Sequence, residues 1–263
     1  MAKKLATPSW GRFVDAHDDE RYNIVWASQG VGGTGKSHFL LTAPEPIAVM
    51  LFDPAGLKGL IQNPLFKKKD VRVIDYTSEV NLAKYTTDED RAKAATDGLA
   101  QFEDDWQVAL KHARTIGWDK EDYVWEMLRY AMLEAVSGRP ASYYELNMKY
   151  RAWFSQAESA GVNFGVLRGM KERWGTKINR KSGAEQPFAT GEMDPRGMKE
   201  VPELVQVNLS HYWDEEARAF TVKILEKCRL GNAVDLINTE HKNLTFEDLA
   251  IQLYPDTDVD VWA

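Results

Sequence analysis

Apolar positions along the chain fall into two patterns. Continuous apolar or β-prone runs of strand length stand at residues 22–29 (YNIVWASQ), 47–53 (IAVMLFD), 71–76 (VRVIDY) and 162–167 (VNFGVL), as expected of strands in a parallel sheet covered on both faces. Other segments carry the three- and four-residue steps of an amphipathic helix. Leu99, Phe102, Trp106, Leu110 and Ala113 form one such stripe, with Glu103, Asp104 and Asp105 on the opposite side. Leu146, Tyr150, Trp153, Phe154 and Ala157 form another, in a helix that ends near Gly161. Residues 37–42 open a helix that Pro44 and Pro46 stop, 114–119 (RTIGWD) is a short strand ending in an acid, and 123–136 is a further apolar-rich helix.

Toward the C-terminus, residues 205–213 and 219–229 alternate as two strands of a hairpin around an Asp-Glu-Glu turn, ahead of a closing helix at 246–253. Between them and the preceding strand, residues 169–202 are polar and rich in Gly and Pro, with no sustained period. A structureless stretch of that length in a compact domain is usually functional or mobile. Strands alternating with helices predict one α/β domain, a mostly parallel sheet flanked by helices with a C-terminal β-hairpin. The chain divides into an N-terminal extension (1–21), a core (22–232), and a C-terminal helix with an acidic tail (233–263).

Composition narrows the class. With 263 residues, 44% hydrophobic and 28% charged, the chain is globular rather than disordered. No apolar run approaches the roughly 18 residues of a membrane-spanning helix, and the start lacks the apolar stretch of a signal peptide, so a cytoplasmic location without membrane partners is expected. A single cysteine, Cys228, excludes an internal disulfide and a cysteine zinc site. Most of the net charge of −7 comes from the end of the chain, where seven acids after residue 230 face one base, Lys242. Contact with nucleic acid therefore requires a local basic patch.

The chemistry is concentrated in Gly30-Val31-Gly32-Gly33-Thr34-Gly35-Lys36-Ser37, which fits G-x-x-x-x-G-K-[ST] between a predicted strand and a predicted helix. In such a loop the glycines leave backbone N–H groups free to wrap phosphate, the lysine reaches the β- and γ-phosphates of ATP, and the serine hydroxyl ligates Mg²⁺. A second acid at the end of a neighbouring strand holds the metal's water shell, and Asp119 is the candidate. Asp53, at the carboxyl end of a core strand where ligands of open α/β sheets bind, is the candidate to polarise the attacking water; it also precedes Pro54 as a turn former would.

Six cations, Arg168, Lys171, Arg173, Lys177, Arg180 and Lys181, lie within residues 168–183 against one acid, Glu172, with Trp174 among them. Flexible cations with an interleaved aromatic suit single-stranded nucleic acid, whose bases stack on the ring; a solvated charged loop is the plainer account. Lys227 and Arg229 end the last strand on one face. They guard a sheet edge, or they are offered to the γ-phosphate of a neighbouring subunit's nucleotide, as arginine fingers are. Asp256, Asp258 and Asp260 lead into Val261 and Trp262, a frayed terminus or an acidic strip with an apolar tip that competes for the basic loop.

The order of GVGGTGKSHFLLTAP, IAVMLFD, RTIGWDKEDYVWEMLR, FGVLRGMKERW and ILEKCR over about residues 20–232 resembles the phage-encoded RecA-like ATPases of the Sak-type single-strand annealing group. The resemblance implies a RecA-like P-loop NTPase core, ATP and Mg²⁺ binding, and DNA-stimulated hydrolysis. It further implies single-stranded DNA as a partner, self-assembly into a filament or ring, and a role in phage recombination or annealing alongside a phage or host single-strand binding protein. On it, Lys36 and Ser37 match the phosphate-loop pair, Asp119 the metal acid, Lys227 and Arg229 the paired cations that reach an adjacent nucleotide, and the loop after Met170 the DNA-binding loop. Three positions depart from the pattern, Lys120 after the metal acid, Arg168 or Gly169 at the γ-phosphate sensor, and Ala55 at one alignment of the catalytic glutamate; they bear on hydrolysis more than on binding. The alternatives are a nucleotide-stabilised assembly protein with little hydrolysis, and a partition- or MinD-type ATPase, whose signature lysine is replaced by Val31.

Overall fold

In the computed structural model, described over residues 22–79, 81–134, 140–178, 185–226 and 231–262, an eight-stranded sheet runs through the middle of the chain. β1 (Val25–Gln29) leads through the phosphate loop into α1 (Lys36–Leu41), then β2 (Ile47–Leu51), α2 (Pro54–Ile61) and β3 (Val71–Asp75). α3 (Asp88–His112) returns to β4 (Thr115–Asp119), and α4 (Glu121–Arg129) passes into one π-helical segment, Tyr130–Glu134. α5 (Pro140–Ala160) and β5 (Asn163–Arg168) follow, then a separate two-stranded ribbon of β6 (Met170–Ile178) and β7 (Glu185–Pro195). A short α6 (Val201–Leu204) precedes β8 (Val207–Asp214), β9 (Ala219–Ile224), β10 (Glu240–Lys242) and α7 (Phe246–Leu253).

The sheet order is β10-β9-β8-β1-β5-β4-β2-β3. The six strands from β8 to β3 are parallel, and β9 and β10 add antiparallel at one edge. The expected fold class is the one observed, an α/β mostly parallel sheet flanked by helices with a C-terminal hairpin. β1 shows why the strand runs are continuously apolar: Val25 and Ala27 enter the core under α3, α4 and α5, while Trp26 enters the core under α1 and α7. The first of these cores is built around Trp118, whose ring meets Phe102, Trp106, Tyr150, Trp153, Phe154 and Phe164 edge-on at centroid distances of 4.8–6.1 Å.

Three expectations from the sequence are corrected. The helix expected from Leu99 begins at Asp88, capped by the Thr87 side chain, which accepts from the Asp90 N–H. Its first buried side chain is Ala95, so its opening turns carry a cap and acids but no apolar stripe. The supposedly structureless stretch 169–202 contains the β6–β7 ribbon; most of its residues are exposed, which leaves no inside–outside alternation to detect. The acidic end neither frays nor extends. Trp262 is 2% exposed, stacks on Tyr254 at 5.3 Å and donates from Nε1 to Thr257 Oγ1 at 2.8 Å, so its apolar tip belongs to the chain's own core. Among the described residues no helix is long and apolar enough to cross a membrane.

Candidate functional site

β1 ends at the carboxyl edge of the sheet, and the chain turns there through Gly30–Gly35 into α1. Two glycines in the turn are dictated by their surroundings. A Cβ on Gly30 would stand 2.4 Å from the His211 carbonyl oxygen, and Gly35, the N-cap of α1, is left-handed at φ 93 with the Phe220 ring 3.1 Å from where a Cβ would lie. Lys36 Nζ folds back over the loop and donates to the carbonyls of Gly30 and Val31, both at 2.8 Å. Burial pulls the Lys36 pKa below its usual value, and the nearby Asp119 carboxylate works against that shift.

Ser37, on the first turn of α1, donates its hydroxyl to Asp119 Oδ2 at 2.8 Å. The two residues lie 82 positions apart, and the sheet brings them together: β4 is one strand beyond β5 from β1, with Asp119 in register with Leu51 on β2 and Leu167 on β5. Asp119 is 7% exposed. Burial raises its pKa above the ordinary carboxylate value, opposed by the Ser37 hydrogen bond and the Lys36 charge and reinforced by Asp53. A hydroxyl and a carboxylate in direct contact beneath a glycine turn and a lysine form a donor set of hard oxygens suited to Mg²⁺ carried by a phosphate ligand.

Asp53 follows β2 at the same edge, as expected, and its carboxylate is ion-paired with Lys120. Burial works against the Lys120 charge, but the hydrogen bond and charge of Asp53 outweigh it and the Lys120 pKa stands above its usual value. Lys120 therefore neutralises the residue expected to polarise water. Two further acids, which the sequence reading left unassigned, follow in the first turn of α4. Among the described residues Asp122 Oδ1 is buried without a hydrogen-bond partner, and burial raises the Asp122 pKa. Glu121 is fully buried and accepts from Arg168 Nε at 3.2 Å, from the Met198 N–H at 3.3 Å and from the Tyr150 hydroxyl. The signal available to sequence reading for these acids was their place two and three positions after Asp119.

Arg168 thereby leaves the expected nucleic-acid patch. It is the last residue of β5, is 1% exposed, and also donates to the carbonyls of Arg196 and Met198 at 2.6 and 2.7 Å. Rather than meeting solvent phosphate, it ties the sheet edge to the return of the ribbon. On the ribbon itself, Lys171, Arg173 and Trp174 are exposed, but Arg173 is held by Asp194 at 2.5–3.0 Å and by Glu192. The two strands together carry three cations, Lys171, Arg173 and Lys177, against Glu172, Glu185, Glu192 and Asp194. The dense positive charge of residues 168–183 is thus offset by the partner strand. Trp174, at 64% exposure, shares a face with Thr176 and Ile178, the last 70% exposed, opposite Ala189 and Pro187. The side chain of Lys177 and the candidates Arg180, Lys181, Lys227 and Arg229 lie outside the described residues.

No protein-family model matches the sequence, and no curated protein matches it. The crystal structure of flagellar accessory protein FlaH from Methanocaldococcus jannaschii is similar to it, with 10% identity over 77% of this chain and 77% of that one, at a TM-score of 0.41.

Proposed function

We propose that the protein binds ATP with Mg²⁺ on the Gly30–Ser37 loop, hydrolyses it as a RecA-like P-loop ATPase, and couples the nucleotide to single-stranded DNA held on the β6–β7 ribbon. The observation that carries the nucleotide part is the Ser37–Asp119 contact beside Lys36, because a metal-phosphate site needs those three groups together and chance rarely supplies them at the end of a P-loop strand. Lys36 would release the Gly30 and Val31 carbonyls to reach the β- and γ-phosphates, Ser37 would ligate the metal, and Asp119 would hold its water shell. A Mg²⁺ ion held by these residues would neutralise charge developing on the phosphates. The DNA part rests on the exposed Trp174–Ile178 face, which offers stacking without strong net charge. A place in phage recombination or annealing is the extension of this reading that the sequence motifs favour.

Calorimetry with ATP and Mg²⁺, followed by phosphate release with and without single-stranded DNA at low salt, tests it. Saturable uptake, turnover stimulated by DNA, and loss of both in Lys36→Ala are expected; absence of uptake at millimolar ATP removes the nucleotide reading, and turnover indifferent to saturating DNA removes the coupling. The Asp53–Lys120 ion pair favours a second reading, in which ATP joins subunits and is hydrolysed slowly. Phosphate release from the assembled form near the uncatalysed rate would select it.

A further inference from the structure

The phosphate loop borders a cavity of about 280 Å³ on its β8–β9 side. Its walls are Gly35 and His38 at the start of α1, His211 on β8, Phe220 on β9, and Asn243 and Leu244 after β10. We propose that this cavity is the base subsite of a purine nucleotide whose phosphates occupy the Gly30–Ser37 loop. The inference rests on the nucleotide reading above and extends it from the triphosphate to the base.

Three observations carry it. Whole small-molecule ligands occupy cavities of roughly 300–1,000 Å³, so this one suits a single moiety of a larger molecule, and Gly35 is the residue it shares with the phosphate loop. Sheet order fixes the direction: Asp119 and the metal end lie on the β5–β4 side of β1, while the cavity lies on the β8–β9 side, so a nucleotide anchored by its phosphates directs its base there. The lining also matches a planar heterocycle. The Phe220 ring lies against Gly35 and is braced edge-on by Trp213 at 5.0 Å, and His38 stands 6.2 Å from Phe220 at 31°.

Asn243 supplies an amide at the rim. Its backbone is left-handed at φ 51 and its N–H donates to the Phe220 carbonyl at 2.7 Å, which fixes the backbone of residue 243 beside the strand that carries Phe220. An asparagine amide pairs with the N6 donor and N7 acceptor that adenine presents side by side.

Calorimetry on the wild-type chain, Phe220→Leu and Asn243→Gly, with Mg²⁺ and each of ATP, CTP and inorganic tripolyphosphate, tests the assignment. Leucine keeps apolar bulk against Gly35, and glycine keeps the left-handed backbone. Wild type should bind ATP about tenfold or more tighter than tripolyphosphate and tighter than CTP, and each variant should lose about tenfold for ATP while holding tripolyphosphate unchanged. Equal binding of ATP and tripolyphosphate by the wild type, CTP as tight as ATP, or variants with unaltered ATP affinity overturns the base subsite and leaves the phosphate loop standing. If wild type takes up neither ATP nor tripolyphosphate, the nucleotide reading falls and the subsite with it.

Discussion

Asp119 sits where two demands conflict. The proposed role beside a metal requires it ionised, yet burial raises its pKa. Because the folded-state pKa stands above the ordinary aspartate value of about 4, ionised Asp119 destabilises the folded chain once pH rises past the raised value, and the penalty fades as pH falls below about 4. Asp119→Asn should therefore raise the thermal midpoint at pH 7–8 by about 2–4 °C, with the difference closing toward pH 4, while metal-dependent ATP uptake is lost. Parallel melting curves and calorimetry check both halves; a midpoint that falls at pH 7–8 would mean that the Ser37 and Lys36 contacts outweigh burial. Lys36 makes the complementary case. Among the described residues its hydrogen bonds are two, both to loop carbonyls, and its attraction to Asp119 is offset by its own burial, so Lys36→Ala should keep its melting point within a few degrees while the proposed ATP affinity falls at least about a hundredfold, in line with a charged phosphate contact.

At the scale of elements, the ribbon and its anchor separate two kinds of arginine. Arg168 and Glu121 form an ion pair buried on both sides, at 2% and 0% side-chain exposure, and truncating one partner leaves an uncompensated buried charge costing about 3–5 kcal/mol. Arg168→Ala should show that loss in denaturant unfolding, and an Arg168→Met, Glu121→Gln pair should recover part of it. Arg173 is exposed and already committed to Asp194 and Glu192, so on the proposed DNA-binding reading Arg173→Ala should change the affinity little, whereas Trp174→Ala should weaken it about tenfold through lost stacking. Fluorescence titration of a labelled oligonucleotide against both variants distinguishes them; the reverse order would make electrostatics the basis of binding. The contrast also explains what sequence reading grasped. The glycine loop and its Lys-Ser pair are contiguous, and Asp119 is an acid closing a short strand, so the places of both at one sheet edge were legible. Counting cations in a window could not reveal that Arg168 ends a buried strand opposite an acid 47 residues away, nor that the acids of β7 would fold back on β6. The ribbon stayed hidden because a ribbon exposed on both faces leaves no apolar alternation.

For the whole molecule, the end of the chain is structural. α7, capped by the reciprocal Thr245–Asp248 pair, packs Phe246, Leu249, Ala250 and Leu253 into the same core as Trp26, Phe39 and Leu40. Trp262 closes that core beside Tyr254 and Tyr22, while Arg114 donates to the Val261 carbonyl and ties the end to the loop before β4. Three acids in the final turn thus label a docked segment, because the residues that follow them spend their apolar surface inside the protein that also carries the phosphate loop. If the acids competed for the ribbon, deleting residues 255–263 would tighten DNA binding and leave stability alone. Burial of Trp262 requires the opposite. Exposing a core tryptophan site costs about 3–5 kcal/mol, so the deletion, and Trp262→Ala by itself, should lower the denaturation midpoint markedly. Any nucleotide or DNA affinity measured below that midpoint should stay within about twofold of wild type, since no residue of the P-loop or ribbon lies in the segment removed. Tighter DNA binding by a deletion variant that melts like the wild type would put the terminus back on the ribbon and take it out of the core.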